Sequence, residues 1–87
     1  MPTPDIIERV RSLRDELGET RPDPAQAPEV EDLKAAIDVV LAQPDHEPHY
    51  KSLSDRLRSN YAGFQIDHPK LAGSMQALVD SLGKVGL

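Results

Sequence analysis

Eight prolines, at positions 2, 4, 22, 24, 28, 44, 48 and 69, divide this 87-residue chain, and each long stretch between them has the apolar spacing of one helix face. Proline lacks a backbone N–H and crowds the preceding turn, so it sits in the first turn of a helix or interrupts it. Apolar residues three and four apart share a helix face and cannot alternate as a strand does. Together the two features predict an all-α chain whose helices begin and end near its prolines.

In the first stretch Ile6, Val10, Leu13 and Leu17 are spaced 4-3-4, with Ile7 beside them. Thr3 is positioned as N-cap and Pro4 as the first helical residue, while Gly18 is a natural stop. The first helix is predicted over 4–17. The segment from Gly18 to Pro28 holds three prolines, the last of them Pro28 itself, and makes a stiff loop. Val30, Leu33, Ile37 and Val40 form the second stripe, predicting a helix over 28–43, with Asp23-Pro24 as a rival start. Pro44 disfavours helical geometry in the residue before it and closes that helix.

Pro44-Asp45-His46-Glu47-Pro48 reads as a second loop. A third helix over 52–66 places Leu53, Leu57, Tyr61 and Phe64 inward, with Tyr50 packing ahead of it. A fourth over 69–82 carries Leu71, Met75, Leu78 and Leu82. At Pro69 either Asp67 or His68 caps a new helix, or one long helix bends. The expected architecture is a single domain, 1–87: two helical hairpins in a small four-helix arrangement, the second hairpin alternatively a Pro-kinked long helix.

Size bears on how such helices are stabilised. A domain this small buries only about 60–65% of the surface its unfolded chain exposes. Its aromatics are one Phe and two Tyr, with no Trp, so the core is aliphatic. Without cysteine there are no disulfides or thiolate zinc sites to compensate. Association with a second subunit is the remaining remedy. The expectation is a bundle completed by dimerisation, with Leu53, Leu57, Tyr61, Phe64, Leu71, Met75, Leu78 and Leu82 as the interface. An unidentified protein partner is the other occupant of such a face.

Net charge is −5, unevenly divided. Residues 1–47 carry twelve acids and five bases; residues 48–87 carry three acids and five bases. The halves are complementary, within one chain or between two, which sets orientation and register more than affinity. Lys51, Arg56 and Arg58 are expected to meet the acidic hairpin of the same or a neighbouring chain. Arg9, Arg11 and Arg14 alternate with acids, with Arg11 and Asp15 spaced as an i,i+4 pair. The acidic total argues against nucleic acid, whose binding rests on neutralising phosphates. Met1-Pro2-Thr3-Pro4-Asp5 lacks the basic and apolar regions of a signal peptide. No apolar run approaches the roughly 20 residues of a membrane span. The expected setting is cytoplasmic, away from membranes.

Near the start, Leu13-Arg14-Asp15-Glu16-Leu17 joins three later segments in a pattern. These are Ser52-Leu53-Ser54-Asp55-Arg56-Leu57-Arg58, Asp67-His68-Pro69-Lys70-Leu71 and Leu78-Val79-Asp80-Ser81-Leu82-Gly83. Over essentially its whole length the chain resembles a bacterial family of similar-sized proteins catalogued only as a domain of unknown function. The resemblance implies no activity, substrate or cofactor. Gly63 and Gly73 depart from it, where better helix formers are expected.

Chemistry-bearing constellations are sparse. His46 and His49, flanked by Asp45 and Glu47, are of the types that ligate zinc or nickel. Pro48 between them places both in a loop, and a closed site needs His68 or carboxylates from elsewhere. The serines stand in no nucleophile elbow, and the glycines form neither a phosphate loop nor a dinucleotide fingerprint. No cofactor is implied. The expected function is a non-enzymatic, self-associating helical interaction module; the alternative is a small-ligand or metal-binding protein using the His46/His49 loop.

Overall fold

The computed structural model describes residues 3–87; Met1 and Pro2, read above as part of a leaderless N-terminus, lie outside them. Four helices follow in order: α1 (Pro4–Glu19), α2 (Ala27–Ala42), α3 (Glu47–Asp67) and α4 (Pro69–Lys84). Each packs against two neighbours: α1 against α2 and α4, and α3 against α2 and α4. The four stripes therefore close one intrachain core, from Ile6, Val10, Leu13 and Leu17 of α1 to Leu71, Met75, Leu78 and Leu82 of α4.

Every predicted helix is present, and its ends have local causes. Thr3 caps α1 through its hydroxyl, which accepts from the Ile6 N–H at 3.3 Å. The helix runs past Gly18 because Thr20 supplies the stop. Its N–H and hydroxyl both donate to the Glu16 carbonyl, the hydroxyl at 2.7 Å. Between the rival starts of α2, the chain coils from Pro24, with the Asp23 carbonyl accepting from Gln26 and Ala27, and becomes α-helical at Ala27.

The third helix starts at Glu47, about one turn before the predicted Ser52. Pro48 thus belongs to its first turn, where the N–H that proline lacks has no intrahelical acceptor in any case. Tyr50 is fully buried as part of this turn, and its hydroxyl donates to the Pro44 carbonyl at 2.7 Å. Of the two readings at Pro69, the structure has separate helices. His68 alone links them, with φ −137° and ψ 66°, and α4 folds back along α3. The α4 C-terminus is a Schellman motif, in which Leu87 N–H donates to Leu82 and Gly86 N–H to Gly83. Gly86 takes the left-handed position, at φ 80°.

Candidate functional site

Seven of the eight residues expected at an interface lie inside the single chain. Leu53, Leu57, Phe64, Leu71, Met75, Leu78 and Leu82 are all buried in the common core, and Tyr61 is half-buried against it. The apolar faces of α3 and α4 meet those of α1 and α2, so no second copy is needed to cover them. That stripe is core, and any contact surface must lie elsewhere.

The charged residues resolve in the same direction. Ion pairs among the described residues are Arg14–Asp38, Lys34–Glu31 and Arg56–Asp32. Arg56 on α3 reaches the acidic α2 of its own chain, so the complementarity of the halves is used internally at this point. Arg14 crosses to Asp38 on α2 at 2.9 Å, and the Arg11–Asp15 pair expected from spacing is not among these bridges. Ser74 of α4 donates to the Glu16 carboxylate at 3.0 Å, tying α4 to α1.

His49 stands in the first turn of α3 rather than in a loop, and His46 is the extended residue just before that helix. Their ring centroids are 4.2 Å apart and tilted by 50°. His49 Nε2 is 2.7 Å from Gln43 Oε1, so that nitrogen already has a hydrogen-bond partner. Among the described residues, no three His, Cys, Asp or Glu side chains are grouped to hold a metal ion. His68 is at the other helical junction, its ring 6.1 Å from Phe64. Tyr50 has a perturbed acidity: burial pushes its phenol above the usual value, and Asp45 nearby adds to the rise.

Among the described residues, two large apolar side chains are exposed. Val39 on α2 is 45% exposed and Ile66 on α3 is 84% exposed. Val39 lines a shallow groove between α2 and α3, with Ala35 and Ala36 beside it, His49 and Ser52 across it, and the Asp32–Arg56 pair at one end. Ser52, Arg56, Ser59, Gly63 and Ile66 follow a 4-3-4-3 spacing, so Ile66 continues the groove-facing stripe of α3. Sequence reading passed over both residues: Ile66 lies two positions beyond Phe64, off the core stripe, and Val39 is masked by Val40 and Leu41. An apolar residue out of phase with the core period was the available signal.

Gly63 and Gly73 lie in helix interiors on the outer surface, and a Cβ at either would meet nothing within 4 Å. No close intrachain neighbour requires them. The Gly63 carbonyl does accept from Gln26 Nε2 at 3.1 Å, and the same amide donates to Asp67 at 3.3 Å.

The model of DUF4404, a domain of unknown function, matches residues 6–87. The chain belongs to the DUF4404 family. Comparison with curated proteins and with solved structures finds no match. For this DUF4404 chain, the four-helix bundle and its outer faces are therefore the whole basis for a functional reading. No helix among the described residues is long and apolar enough to cross a membrane.

Proposed function

We propose that this protein is a non-catalytic helical module that works by self-association, as a homodimer of closed four-helix bundles. The observation that carries the reading is Ile66, 84% exposed where the other large apolar side chains among the described residues, Val39 apart, are at least partly buried. An isolated surface hydrophobe is ordinary. Here it stands beside the small residues Ala62 and Gly63, on a helix that uses its opposite face for the core. Association also suits a small aliphatic core, because binding between folded chains adds to folding stability by mass action. A metal-binding role for His46 and His49 is the weaker reading, since Gln43 engages His49 and, among the described residues, no third ligand is grouped with the pair.

Light scattering behind a sizing column, across a tenfold concentration range, tests the proposal. The expected mass is twice the 9.6 kDa of one chain. A monomer throughout the range overturns it.

A further inference from the structure

We draw no further inference here: the strongest candidate, the shallow groove between α2 and α3 with the exposed Val39 and Ile66 along it, is an apolar face, and nothing in the structure shows what covers it.

Discussion

The phenol of Tyr50 donates a 2.7 Å hydrogen bond to the carbonyl of Pro44, six residues earlier, from a side chain with no exposed surface. This bond spans the α2–α3 connection. It fixes the first turn of α3 to the end of α2 and joins a short polar loop to the core. Buried polar groups are tolerated only when paired, and here one hydroxyl and one loop carbonyl satisfy each other.

Tyr50→Phe removes that donor while keeping the ring. The expected loss is about 1 kcal/mol, the net value of such a bond, seen as a lower urea midpoint with unchanged slope. The same residue predicts a pH effect. Its folded pKa is raised above the ordinary value of about 10, chiefly by burial. The neutral phenol thus contributes its full stability below about pH 10, and this is lost as pH rises through the folded pKa. Wild-type stability should fall over that alkaline range by more than that of Tyr50→Phe, in parallel urea titrations.

Exposed glycines in helix interiors predict gains. Gly73→Ala should stabilise the protein by about 0.8–1 kcal/mol, the helix-propensity difference, because the added methyl meets nothing. Gly86→Ala should do the opposite, since Gly86 holds a left-handed φ of 80° in the Schellman motif. Chemical denaturation of the two variants gives opposite signs if the local conformations are as described.

The Arg56–Asp32 pair is partly exposed, and within one chain its contribution should be small. A double-mutant cycle on Arg56→Ala and Asp32→Ala should give a coupling of about 0.2–1 kcal/mol, reduced by added salt. A coupling that grows with protein concentration would place the pair at an interface between copies.

Core and surface positions on α3 should separate cleanly. Phe64→Ala empties a fully buried site and should cost about 3–5 kcal/mol, a large share of the total for a domain of this size. Ile66→Ala, two residues away, should leave the folding stability of the isolated chain within about 0.5 kcal/mol. Circular dichroism melts at low concentration compare the two.

Much of this fold was legible before any coordinates. Ile6, Val10, Leu13 and Leu17, and the corresponding stripes of the other helices, announced their inward faces by spacing alone, because burial imposes that period. Three things were not legible, for physical reasons. Pro48 read as a loop residue because proline interrupts helices, but the first turn tolerates it, so α3 began earlier than expected. A 3-4 stripe looks the same whether its partner is another helix of the chain or a second copy. Leu53, Leu57 and Leu71 were therefore assigned to an interface when they fill the chain's own core. Ile66 and Val39 stood out only once burial was known, as the exposed large apolar side chains among the described residues.

His68 and Pro69 carry a last consequence. A single residue joins α3 to α4, and such short hinges invite domain swapping. Were His68 to adopt helical angles, the two helices would fuse into one rod and α4 would complete the bundle of a neighbouring molecule. The Pro69 ring disfavours helical geometry in the residue before it, and His68 stays outside the helical region at φ −137°, ψ 66°. One pyrrolidine ring thus guards this bundle against exchanging its last helix, and keeps the four-helix unit a property of each chain.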